Sequence, residues 1–238
     1  MAQSRRKGTQ PQGSNMKPFY ILLAAIVVAG GGFIAWNMAK GGSAATQPVD
    51  MEFANAAEML AKADGIKRGP DSARVKVLVF ADYTCPACRQ HALQFGPVMR
   101  DSLLATGKVQ EVYYDFPLGG SGEHKHSFLA ARAARCANEQ GRFWEYHDVL
   151  FTRQTEWAYG PAQPTDQLID YGTEAGLDAK QFASCVRSDK FADAVTASGQ
   201  LGQQLGVSRT PTIIINGRMP VSRSWDDLKN VIKQDAGI

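Results

Sequence analysis

The stretch that most constrains this chain is "VKVLVFADYTCPACRQHALQFGPV", residues 75–98. Its first seven residues are nearly all apolar and rich in valine. An apolar run without polar alternation fits a strand covered on both faces, as in a parallel sheet. From Cys85 onward the pattern turns helical, through "CRQHALQFGPVMRDSLLA", with Pro97 expected to kink the helix. "VQEVYYDF" (109–116) reads as a second strand. Strand, crossover helix and strand make a β-α-β unit and therefore an α/β fold with helices packed on the sheet. The unit also places Cys85 and Cys88 at the carboxyl end of the first strand and the amino end of the helix.

Two cysteines three positions apart can hold a metal or pass electrons. A structural zinc usually needs four ligands, as two close pairs. The other cysteines, Cys136 and Cys185, are 49 positions apart on different expected helices. His91, His124, His126 and His147 make no second short pair with them and are expected as lone surface side chains. Electron transfer explains the placement better. A helix amino terminus offers free N–H groups and partial positive charge, which stabilise a thiolate at Cys85. Pro86 suits the first helical turn, where its missing N–H costs nothing. Cys88, one turn on, is expected to be more buried and to act as the resolving thiol. No cofactor or metal is needed for such exchange.

The rest of the chain sets the compartment. Residues 18–36, "PFYILLAAIVVAGGGFIAW", carry no charge and are long enough to span a bilayer. Arg5, Arg6, Lys7 and Lys17 precede them, so the positive-inside rule puts residues 1–17 in the cytoplasm and the remainder outside. We read 18–39 as a transmembrane anchor contacting the lipid bilayer. A cleaved signal peptide, with Ser43 and Ala45 flanking the cut, is the alternative. Either way all four cysteines are exported, to the periplasm or the extracellular side, where cysteines pair or do redox chemistry. Cys136 and Cys185 could be unrelated thiols, relays or one structural disulfide; the disulfide is the reading preferred for an exported chain. A net charge of +3 gives no nucleic-acid footprint.

Residues 40–71 read as a linker with a short helix at 51–63 and a loop after it, and 72–238 as the globular domain. Helices are expected from Phe128 through Phe151, over 166–175, after a cap at Asp178 and after a cap at Ser188. "TPTIIING" (210–217) reads as a third strand and turn, and Ser224 caps a closing helix. Phe143, Trp144, Tyr146 and His147 read as packing. Trp157 and Tyr159 fall in an expected exposed loop, and Glu123, Lys125 and Arg132 on a solvated face.

"FADYTCPACRQHA", "AARAARCANEQGRFWEYHDVLF" and "LGVSRTPTIIING" together resemble the DsbA-like branch of the thioredoxin superfamily. The resemblance implies a thioredoxin fold with an inserted helical domain, at about 119–206, preceded here by the transmembrane helix. It implies Cys85 as nucleophile, Cys88 as its partner, Pro211 as a cis-proline against the cysteines, and Thr210 as a setter of substrate preference. It further implies a protein disulfide oxidoreductase acting on thiol-bearing exported polypeptides and reoxidised by a membrane redox partner. A reductase or isomerase stays open on the same residues, and a metal-binding CxxC module in a different class. The chain departs from the family at Val79, where relatives often bury an acid; Asp82 is either its substitute or only a polar strand end. Ala87 stands where the strongest oxidant has histidine. Arg209 is expected to lie near Cys85 and recover part of the thiolate stabilisation, against a solvated loop arginine.

Overall fold

The computed structural model describes residues 47–48, 51–119, 122–222 and 224–238. The expected tail at 1–17 and the apolar run at 18–39 lie outside them. Among the described residues no helix is long and apolar enough to cross a membrane.

Four strands form one sheet in the order β1-β3-β2-β4. β2 (Val75–Ala81) and β3 (Val109–Asp115) pair in parallel, with Val79 opposite Tyr113. Every residue of β3 is buried, the polar Gln110, Glu111 and Asp115 included, as a strand covered on both faces requires. β1 (Ile66–Arg68) runs antiparallel to β3, and β4 (Thr212–Ile215) antiparallel to β2. β1 falls where the sequence reads as loop. Three residues, of which only Ile66 is buried, are too few to show a period of two.

The domain also begins earlier than residue 72. Helix α1 (Ala56–Ala63) starts at Asn55, whose side chain accepts from the Glu58 N–H. It buries Met59 and Ala63 in a cluster with Phe80, Tyr114, Phe116 and Leu201 on one face of the sheet. Its last carbonyls are not left to solvent: Arg135 donates to those of Ala63 and Asp64 at 2.8 and 3.2 Å and pairs with buried Asp115 at 2.6 Å. The short helix expected at 51–63 is thus present, and a buried ion pair bolts its carboxyl end to the sheet.

The crossover after β2 is one helical run, α2, over residues 86–106. It is α-helical at Pro86–Gln90, widens to π at His91–Phe95, returns to α at Gly96–Val98, widens again at Met99–Leu103 and closes as a 3-10 turn at Leu104–Thr106. Pro97 cannot donate to the ladder, and the chain takes up the missing bond in wide turns on either side. The helical insert then supplies α3 (Ser127–Glu139), α4 (Phe143–Thr152), the short α5 (Gln154–Trp157), α6 (Thr165–Glu174) and α7 (Ala179–Val186). α8 (Ala192–Gln204) packs on α1 and leads back to the sheet. Its cap position is Phe191, not Ser188, whose hydroxyl instead donates to the Cys185 carbonyl. α9 (Trp225–Ala236) closes the chain from Ser224, whose side chain accepts from the Asp227 N–H.

Cys136 on α3 and Cys185 on α7 form the disulfide, with Cα atoms 5.8 Å apart. Closing a loop of that size stabilises the fold by about 4 kcal/mol in the chain-entropy account. The expected solvated face is only partly so. Arg132 is 1% exposed on α3, its Nη2 near the Val186 carbonyl at 3.4 Å and Asp189 at 3.5 Å. Trp157 is likewise no exposed loop residue: it is buried on α5, and its indole N–H donates to the Leu150 carbonyl at 3.0 Å.

Candidate active site

Cys85 is the residue at which extended backbone becomes helix. Its φ and ψ are −77° and 122°, and Pro86 follows as the first helical residue. The free amides of the first turn therefore face Cys85, as helix geometry dictates for any residue at this position. Cys85 and Cys88 are free thiols, and both are buried. They are unequal. The Cys88 side chain hydrogen-bonds to Cys85 and, with Thr210 and the Cys88 and Ala87 amides, brings the Cys85 thiol down to about 5 against the opposing effect of burial. Burial raises Cys88 well above the ordinary thiol range, and negative charge at Cys85 adds to it. One sulfur is held as the thiolate at neutral pH and the other keeps its proton.

β4 brings the second half of the site. The Thr210–Pro211 peptide bond is cis, and Cys85 Sγ lies 3.5 Å from the Thr210 carbonyl, to which it donates only when protonated. The Thr210 hydroxyl is buried without a partner of hydrogen-bonding geometry, yet it lies close enough to lower both cysteines. It is a donor available to whichever sulfur carries charge. Beside this loop opens a groove of about 540 Å³, lined by Phe95, Thr210, Pro211, Met219, Val221 and Trp225 among others. Arg209 lines the groove and is exposed, as a solvated loop arginine would be, and the chief groups that bring Cys85 down are others.

Asp82 organises the turn that leads into the cysteines. It is 2% exposed. Oδ1 accepts from the Thr84 N–H at 2.6 Å and the Thr84 hydroxyl at 2.8 Å. Oδ2 accepts from the Leu118 N–H and the Ser127 hydroxyl, each at 2.7 Å. Four donors satisfy the carboxylate, so it needs no buried cation. With the Thr84 proton spent on Asp82, His124 Nδ1 donates to Thr84 Oγ1 at 2.7 Å. Only the backbone N–H of Asp82 faces Cys88, with Sγ at 3.4 Å. The carboxylate is thus a structural hub. Val79 leaves no acid on β2 behind Cys88, and that side is a small void lined by Val79, Cys88, His91, Glu111 and His147.

Of the residues read from the sequence, Cys85, Cys88, Thr210 and Pro211 meet at one place, while Cys136 and Cys185 pair in the insert away from it. The histidines are not uniformly superficial: His126 and His147 are buried, and burial pushes His91 down to about 3 with His147 and Arg68 adding to it. Sequence reasoning missed Ser127, His124, Gln154 and Tyr159, whose contacts join positions 40 to 75 residues from the cysteine turn. No local signal marks such pairs. Among the described residues no group of three or more His, Cys, Asp or Glu side chains is placed to share a metal ion.

A thiol pair made unequal by its own hydrogen bond, by burial and by first-turn amides, under a cis-proline and beside a helical insert, defines a DsbA-like thiol–disulfide oxidoreductase. The family described as Thioredoxin matches residues 61–234, and the chain belongs to it. Probable disulfide bond formation protein D of Bacillus cereus is 28% identical over 186 residues, covering 75% of this chain and 82% of that protein. A Na(+)/H(+) antiporter, NhaA 3 of Salinispora tropica, is 34% identical over 151 residues, which are 63% of this chain but 21% of the antiporter. The chain thus spans about a fifth of that relative. Oxidised BdbD from Bacillus subtilis shares the fold at a TM-score of 0.65 and 23% identity, with 75% of this chain and 95% of that one covered.

Proposed function

We propose that this protein introduces disulfides into exported polypeptides, using the Cys85–Cys88 pair, from the outer face of a membrane to which residues 18–39 tether it. The observation that carries the direction of flow is the inequality of the two thiols. A thiolate stabilised at Cys85 stabilises the reduced form, which makes the disulfide form a donor. In the exchange, a substrate thiolate attacks Cys85 Sγ of the disulfide. The Cys85–Cys88 bond breaks, and its electron pair leaves on Cys88, which takes up a proton. A second substrate thiolate then attacks the substrate sulfur of the mixed disulfide and releases Cys85 as a thiolate. The substrate loses two electrons and the enzyme gains them, so a membrane redox partner must restore the disulfide.

The groove beside Pro211 suits an extended, thiol-bearing chain, because it mixes apolar and polar side chains and is lined by Thr210, whose carbonyl lies 3.5 Å from Cys85 Sγ. Equilibration with glutathione tests the reading. A potential well above about −200 mV is expected; a value near about −270 mV would make the protein a reductase with the same site.

A further inference from the structure

Besides His124 and Ser127, the helical insert sends two further side chains to the carbonyls of the cysteine turn, and the exchange steps use neither. Gln154, 1% exposed at the start of α5, sends its Nε2 to the carbonyls of Tyr83 at 2.7 Å and Cys85 at 3.0 Å. Both amide protons are then used, so its Oε1 must be the acceptor; the reverse orientation would set oxygen against two carbonyls. The Tyr159 hydroxyl lies 3.1 Å from both Oε1 and the Thr84 carbonyl and shares its one proton between these two acceptors. Three consecutive carbonyls, 83 to 85, are therefore held from the insert. The Cys85 carbonyl also accepts the first ladder bond of α2, from the Arg89 N–H at 3.1 Å. Gln154 thus grips the peptide group on which α2 begins. Its own backbone is fixed by the Ala158 N–H at 2.9 Å and by buried Trp157.

We propose that Gln154 and Tyr159 are positioning residues for Cys85: by fixing carbonyls 83 to 85 they set the angle at which the first-turn amides meet its sulfur, and so how strongly the thiolate is held. The inference rests on Cys85 being the nucleophile. It does not depend on which way electrons flow. The charged groups that act on Tyr159 here are Cys85, Glu123, Asp82 and Arg89, and Cys88 on α2 and Thr210 in the loop before β4 face Cys85. Burial raises the Tyr159 hydroxyl, and a charged Cys85 adds to that, so it remains a donor beside the thiolate.

The test is Gln154→Met, which keeps the volume and removes the hydrogen bonds, with Tyr159→Phe and the double variant. The readout is the thiolate absorbance of the reduced full chain against pH, alongside glutathione equilibration. Gln154→Met is expected to raise the Cys85 midpoint by about one unit, tenfold less thiolate at a given pH below it. Tyr159→Phe should give a smaller rise, and the double variant less than the sum, because the two share a bond. A loss of thermal stability with an unmoved Cys85 midpoint would reduce Gln154 to packing and overturn the proposal. Should Gln154→Met fail to fold, an unmoved midpoint in Tyr159→Phe overturns it equally. A wild-type potential in the reductase range would refute the proposed direction of flow and leave the midpoint comparison intact.

Discussion

The inequality of Cys85 and Cys88 predicts how the reduction potential varies with pH. With Cys85 at about 5 and Cys88 raised well above 9.0, the reduced enzyme at neutral pH holds one thiolate and one thiol. Reduction then takes up two electrons and one proton, and the potential falls by about 30 mV per pH unit. Below the Cys85 value both sulfurs are protonated, and the slope doubles to about 60 mV. Relative to a thiol at the ordinary 9.0, the Cys85 shift favours the reduced form about 100-fold at pH 7. That factor is about 60 mV of added oxidising power. The assay is equilibration with glutathione from about pH 4 to about pH 8, referenced to the glutathione potential at each pH. A bend near pH 5 is expected. A single slope of about 60 mV through neutral pH, bending only near 9, would refute the assignment of Cys85 as a standing thiolate.

Further outcomes follow from other contacts. In the reduced protein, the depressed Cys85 adds stability that is full above the unfolded thiol range and is lost as pH falls through about 5; urea titrations should show the reduced form gaining on the oxidised form between those limits. In the oxidised protein, where Cys85 does not titrate, His91 must charge on unfolding. Its fall to about 3 means that stability drops from about pH 6.5 downward, and His91→Gln should flatten that limb. Replacing both Cys136 and Cys185 by Ala should cost about 4 kcal/mol in denaturant unfolding while leaving the Cys85–Cys88 potential in place; a shifted potential would contradict the separation of the two pairs. Asp82→Asn sets an NH₂ either against the Thr84 donors on Oδ1 or against the Leu118 and Ser127 donors on Oδ2. A loss of about 2–4 kcal/mol is expected, and unchanged stability would deny Asp82 its role as hub.

Where the chain's chemistry is local, the residues alone determine it. The β-α-β unit, the placement of Cys85 at a helix start and the burial of Cys88 follow from "VKVLVFADYTCPAC", because strand periodicity and helix termini are set within a few residues. Even the pairing of Cys136 with Cys185 could be expected from cysteine number. Tertiary structure decided what depends on distant partners. β1 joins the sheet because β3 offers it an edge, not because "IKR" has a strand pattern. α1 is part of the domain because Arg135, about 70 residues on, closes its carboxyl end and meets Asp115. Arg132 and Trp157 are buried against their local composition, since only the assembled insert supplies Val186, Asp189 and the Leu150 carbonyl. The acid that the sequence offers near Cys88 turns out to face Thr84, Leu118 and Ser127. The hold of Gln154 on the carbonyls of Tyr83 and Cys85 likewise exists only once the insert folds back on the cysteine turn. A hydrogen bond reads three-dimensional distance, and a sequence pattern carries only the spacing along one element.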